Sequence, residues 1–235
     1  EDFVNVMLNI EELIEKLDLL MKKNPELQLY KYDNLSDIPV FEPEYDACRP
    51  MVEFFAKKKT QYLLLYTKSD NVDFLLDVAH NGHILINWSI SPETQAKFVE
   101  KETPVLEKRI NAMEKCEKAG YTVRARFSPL IPLKDWKQEL EEMIGNLFDR
   151  VHPDVITIDC IGFMTPAVMK NIIDQELMDE KALSVLNEVE KTKTRFGKHT
   201  FPHEFRVEMF KHVLKKVQEV SPGTPVDRKS TRLNS

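Results

Sequence analysis

The sequence predicts an α/β protein with the architecture of a partial parallel (β/α) barrel, truncated at its N-terminus. Three observations predict the architecture. Short apolar runs alternate with amphipathic segments of helical period. About five such runs are visible along 235 residues. A closed eight-fold barrel typically needs about 250 residues, so a partial barrel fits better, with a doubly wound sheet as the alternative.

The elements follow in order. "NIEELIEKLDLLMKK" places Ile10, Leu13, Ile14, Leu17 and Leu20 or Met21 on one helical stripe. Asn9 and Glu12 stand at capping-box spacing before it. "ELQLYKY" (26–32) reads as the first strand and 46–58 as a helix. "QYLLLYTK" (61–68) is a buried strand, and "DNVDFLLDVA" makes one or two helical turns. The Asn81-Gly82 turn leads into "HILINWSIS" (83–91). Thr103, Pro104 and Gly120 bracket a helix over 103–121. "TVRARFSPLIPL" (122–133) is a strand, 134–151 a helix, "DVITIDCIGF" (154–163) a strand, and 167–219 mostly helical.

Nothing before residue 10 is long enough for a further strand unit, and the chain opens on Glu1. At the other end, "KSTRLNS" carries no apolar period and resembles a translated sequencing adapter. The organisation expected is therefore one barrel domain over 1–226 and a non-native tail over 227–235.

Composition excludes several classes. Hydrophobic residues make 42% and charged residues 31%, an ordinary globular balance with no membrane-spanning run. The net charge is −6, and the tail contributes +2 of it, so the body stands at −8. That balance gives no support to nucleic-acid binding, although a local basic groove is compatible with it. Cys48, Cys116 and Cys160 lack metal-ligand spacing and are odd in number, which points to a reducing, cytoplasmic setting with buried thiols. No phosphate loop and no GxGxxG is present.

Active sites of parallel α/β folds gather at the carboxyl ends of strands. The residues there are Asn34, Ser36 and Asp37; Lys68 and Ser69; Asn87 and Ser89; Arg124, Arg126 and Ser128; and Asp159. Neighbouring strands lie about 4.8 Å apart, so Lys68 and Ser89 are placed to face one ligand. Lysine suits a carboxylate or phosphate, and serine supplies a donor and an acceptor. The arginines of "VRARF" share a face and suit either an anion or a neighbouring acid. "HNGH" (80–83) reads as a polar turn rather than a metal site. "HTFPH" (199–203) reads as a loop, because Pro202 interrupts it. Trp88 and Trp136 read as packing residues.

"YTKSDNVDFLLDVAHNGHILINWSIS", "TPVLEKRINAMEKCEKAGYTVRARFSPLIP", "LSDI" and "PHEFRVEMFKHVLKKV" resemble, in order and spacing, the spore photoproduct lyase family of radical SAM enzymes. The resemblance covers nearly all of 1–226. It implies a partial (β/α)6 barrel, S-adenosylmethionine and a [4Fe–4S] cluster as cofactors, and a 5′-deoxyadenosyl radical that abstracts hydrogen from the substrate. It also implies an electron donor such as flavodoxin or ferredoxin. Carried over by position, the family's cofactor contacts fall on Ser36, Lys68 and Ser89, with Asp37 and Arg126 beside them. The three contacts are expected to converge on one sulfonium cofactor.

Two departures accompany the resemblance. The CxxxCxxC loop that holds the cluster is not in the sequence and is expected upstream of Glu1, so the fragment alone is expected to be inactive. The family's hydrogen-donor cysteine position is Asn34, whose amide does not replace a thiol, leaving the substrate open between the DNA thymine photoproduct and another molecule. The alternatives are a non-catalytic binding module on the same scaffold, and a barrel enzyme that binds phosphate at Lys68 and Arg126.

Overall fold

Six strands follow one another across the sheet in chain order: β1 (Leu29–Lys31), β2 (Tyr62–Thr67), β3 (Ile84–Ile90), β4 (Thr122–Leu130), β5 (Ile156–Cys160) and β6 (Val226–Arg228). The pairings β1–β2, β2–β3, β4–β5 and β5–β6 are parallel. This is the sequential topology of a partial (β/α) barrel. The computed structural model describes residues 8–32, 36–195 and 199–228, with Arg228 by its backbone only. The chain forms two compact units, one from Glu1–Trp88 and Asn111–Arg124, the other from Ser89–Ile110 and Ala125–Ser235.

In the first unit, α1 (Ile10–Lys23) packs on α2 (Cys48–Ala56), and α2 packs on β2. With Leu64 buried on the opposite face, β2 buries Leu63, Leu65 and Thr67 on one face. Their register partners Ile84, Ile86 and Trp88 on β3 are buried with them. The stripe expected on α1 is narrower than its period suggests. Ile10 and Met21 are buried, but Leu13 and Leu20 are 42% and 48% exposed. The Asn9 amide turns to Glu12 Oε2 (3.1 Å) instead of capping a backbone N–H, because Glu12 is already drawn toward Lys16. The segment after β2 makes one 3-10 turn, Asp73–Leu75.

In the second unit, α4 (Trp136–Phe148) packs on α7 (His203–Val220), and α5 (Pro166–Ile172) on α6 (Glu180–Thr192). Side chains of Thr165 and Asp179 cap α5 and α6. β6 takes in Asp227 and Arg228, residues that the sequence assigns to the tail. Its entry is fixed by the bond from the Ile156 N–H to the Pro225 carbonyl (2.9 Å).

The helix expected from Thr103 begins only at Leu106, as α3 (Leu106–Lys118). Thr103 and the Pro104 carbonyl are instead taken as partners by Arg109 (2.7 Å each), which keeps 103–105 out of the helix. Gly120 ends α3 at φ +90°, and its open Cα face lies against the His80 ring. No helix among the described residues is long and apolar enough to cross a membrane.

Candidate functional site

The strands separate two chemistries by face. In the first unit the register aligns Lys31 with Leu64, Leu64 with Leu85, and Tyr66 with Asn87. These residues share one face, opposite Leu63, Leu65 and Thr67. Lys31 Nζ sits 3.8 Å above the Tyr66 ring. In the second unit Arg126 aligns with Thr157, and Thr157 with Asp227. On the other face Ala125, Phe127, Ile156 and Ile158 are buried and apolar.

The tip of β2 is clasped by Asp37, which follows β1. Its Oδ1 accepts from Thr67 Oγ1 (2.7 Å) and its Oδ2 from the Lys68 backbone N–H (2.6 Å). The Thr67 hydroxyl in turn accepts from the Ser69 N–H (2.8 Å). Ser69 Oγ accepts from the Asn71 N–H (3.0 Å), and the Asn71 amide donates to the Pro39 (2.9 Å) and Glu42 (2.5 Å) carbonyls. Trp88 Nε1 donates to the Ser69 carbonyl (3.0 Å). The backbone of Lys68 is thus held from both sides. Alternation carried one residue past the strand puts Lys68 on the same face as Tyr66. Ser36 is exposed, one residue before the clasp.

We expect Asp37→Ala to cost about 1–3 kcal/mol, because Thr67 Oγ1 and the Lys68 N–H lose their acceptor together. Urea denaturation measures it. A value indistinguishable from wild type would mean that the clasp does not form.

In the second unit Ser89 lies near the end of β3, and its carbonyl accepts from Arg109 Nη1 (3.0 Å). The Arg109 guanidinium is fully buried. Its Nη2 pairs with Glu100 Oε2 (2.8 Å), while Glu100 Oε1 accepts from Ser91 Oγ (2.6 Å) and Gln95 Nε2 (2.9 Å). Arg126 Nη2 and Ser128 Oγ each lie 3.4 Å from Asp159 Oδ2. The pairing with an acid, left open by the sequence, is the arrangement observed. Ser36, Asp37 and Lys68 therefore belong to the first unit, Ser89 and Arg126 to the second. Asn34 lies outside the described residues.

Sequence reasoning missed Arg109, Glu100 and Glu42. Glu42 Oε1 accepts the Ala47 and Cys48 N–H groups (2.8 and 3.1 Å) at the start of α2. Arg109 carried a readable signal. It sits on the apolar stripe of α3 between Leu106, Ile110 and Met113, where a charge needs a buried partner.

The histidines of "HNGH" go to aromatic stacking, His80 on Tyr121 (3.9 Å) and His83 on Tyr62 (4.9 Å). No group of three or more His, Cys, Asp or Glu side chains could hold a metal ion among the described residues. Cys48, Cys116 and Cys160 are each free and buried. Burial pushes the Cys48 thiol well above its usual range and the Cys116 thiol up to about 12. A cluster needs several thiolates gathered at one point, and these cysteines belong to no such group among the described residues, so they do not fit an iron–sulfur cluster.

The family model described as spore photoproduct lyase matches residues 1–227. Among curated proteins, the spore photoproduct lyase of Bacillus subtilis (strain 168) is 28% identical over 177 residues, 74% of this chain and 52% of that protein. That of Clostridium acetobutylicum (strain ATCC 824) is 25% identical over 172 residues, 73% of this chain and 51% of that one. The chain thus spans about half the length of the curated relatives it matches. Among solved structures, a spore photoproduct lyase double mutant with bound AdoMet and dinucleoside spore photoproduct has a TM-score of 0.77 at 20% identity, covering 93% of this chain and 66% of that one. A spore photoproduct lyase complexed with dinucleoside spore photoproduct has a TM-score of 0.76 at 21% identity, with the same coverage. These likenesses show the fold, and the match over 1–227 shows that the chain belongs to the spore photoproduct lyase family.

Proposed function

We propose that this protein is a radical SAM enzyme of the spore photoproduct lyase type, with the thymine photoproduct of DNA as its substrate. The observation that carries the reading is Lys68, whose backbone is fixed at the β2 tip by the Asp37 carboxylate (2.6 Å). A lysine held there offers a point charge to the carboxylate of S-adenosylmethionine. Family membership over 1–227 and the bound molecules of the solved relatives support it.

When bound to a [4Fe–4S] cluster, S-adenosylmethionine supplies the 5′-deoxyadenosyl radical for hydrogen abstraction. The cysteines of this chain do not fit that cluster, so its ligands are proposed to come from outside residues 1–235, and an electron donor such as flavodoxin or ferredoxin to reduce it. The chain's own residues bind and orient. Ser36, Asp37 and Lys68 are proposed for the charged end of the cofactor. Ser89 carries the same proposal from the resemblance, and Arg126 from its place as a strand-end arginine suited to an anion.

The test uses the whole gene product, reconstituted anaerobically. It is expected to bind S-adenosylmethionine by calorimetry and to convert dinucleoside spore photoproduct to thymidine. Lys68→Ala is expected to weaken cofactor binding about 10–100-fold, the loss of one charge-assisted bond, with an unchanged circular dichroism spectrum. Equal affinities would remove Lys68 from the site. An intact protein that neither binds the cofactor nor turns over the photoproduct would end the enzymatic reading in favour of a binding module.

A further inference from the structure

Asn87 stands out on the polar face of β3. It is 2% exposed, and its Oδ1 has no hydrogen-bond partner among the described residues. A side-chain amide brings one acceptor and two N–H donors. Burying such an acceptor unpaired is costly, and native structures avoid it unless the group has another use. The same face shows that the position does not demand polarity for folding. Leu85, two residues earlier, and Leu64, aligned with Leu85, are apolar and buried. Asn87 is the middle residue of β3 (Ile84–Ile90), one of the parallel strands at whose carboxyl ends α/β folds take their ligands.

We propose that Asn87 is a binding residue that reads the donor–acceptor edge of a nucleobase ring. The chemistry follows from the unsatisfied atom. Oδ1 needs an N–H or O–H donor, which an ionised carboxylate or phosphate does not have. The amide N–H groups beside it need an acceptor. A planar ring presenting both side by side matches the amide in a bidentate arrangement, as adenine does with N6–H and N7, or thymine with its imide N3–H and a carbonyl. The residue aligned with it, Tyr66, is an aromatic ring on the same face. The proposal rests on the proposed function for the two sources of such a ring, the adenine of the cofactor and the thymine of the photoproduct.

The reconstituted whole gene product and its Asn87→Leu and Asn87→Ala variants are titrated separately with S-adenosylhomocysteine and with dinucleoside spore photoproduct. Loss of two neutral hydrogen bonds predicts a decrease of about 5–100-fold in affinity for one of the two, and the affected ligand identifies the base. In the ligand-free protein Asn87→Leu is expected to raise Tm by about 2–4 °C, since an unpaired amide is replaced by a hydrocarbon of similar size. Unchanged affinity for both ligands in either folded variant overturns the proposal and leaves the proposed function standing. A wild-type protein that binds neither ligand overturns both.

Discussion

Arg109→Ala is expected to cost about 3–5 kcal/mol of folding stability, the range for breaking a buried ion pair from one side. The guanidinium is 0% exposed and donates to the Pro104 carbonyl, the Ser89 carbonyl, Glu100 Oε2 and Thr103 Oγ1, all within 3.0 Å. Removing it leaves the Glu100 side chain, 7% exposed, without its counter-charge. It also takes a donor away from the Ser89 and Pro104 carbonyls. At about 2–4 °C per kcal/mol for a chain of this length, Tm should fall by about 10 °C. Urea titrations of Arg109→Ala, Glu100→Gln and the double variant form the cycle that checks it. The double variant should lose less than the sum of the singles, because each single leaves the other side chain short of its partner. A loss below about 1 kcal/mol for Arg109→Ala would place the pair in the class of exposed ion pairs and refute its structural role.

Trp88→Ala is expected to be comparably severe, about 3–5 kcal/mol for an aromatic side chain deleted from a closed core. Trp88 is fully buried, and its indole N–H holds the Ser69 carbonyl (3.0 Å). Trp88→Phe separates the two contributions. It keeps most of the packing and loses the hydrogen bond, so about 1–3 kcal/mol of the cost should remain. The peptide bonds at 68–72 should become more sensitive to limited proteolysis, since the Ser69 carbonyl is one of the points that tie this turn down. If Trp88→Phe matched wild type in both stability and cleavage, the indole N–H would have no share in fixing the Lys68 backbone.

Much of this architecture is legible in the residues, for reasons that differ by element. β2 and β3 read clearly because both are continuous apolar runs, and burial on both faces is what a parallel strand requires. α1 is legible as a helix, but the face it buries is not, since periodicity marks a stripe without saying what lies across from it. β6 is hidden because three residues after a Ser-Pro-Gly-Thr-Pro turn carry no period, and only pairing with β5 makes them a strand. The N-terminal limit of α3 was misplaced for a tertiary reason. Thr103 and Pro104 look like a helix start, but a buried arginine six residues on recruits both.

The candidate site divides in the same way. Asp37, Lys68 and Ser89 stand out by position at strand ends, while the roles of Asp37 and Thr67 in holding Lys68 come from contacts 30 and 31 residues apart in sequence. Asn87 appears in the sequence as one more strand-end residue. Only the coordinates show that its amide oxygen is buried without a partner.

The division of β2 and β3 into an apolar face and a mixed face has a bearing on how such a protein changes over time. The residues that secure folding on one face, such as Leu65, Ile86 and Trp88, are not those that bring polar groups to the other, such as Lys31, Tyr66 and Asn87. Selection can therefore retune ligand preference by exchanging the second set while the first stays constant. A lineage can shift its chemistry without first having to rebuild its scaffold.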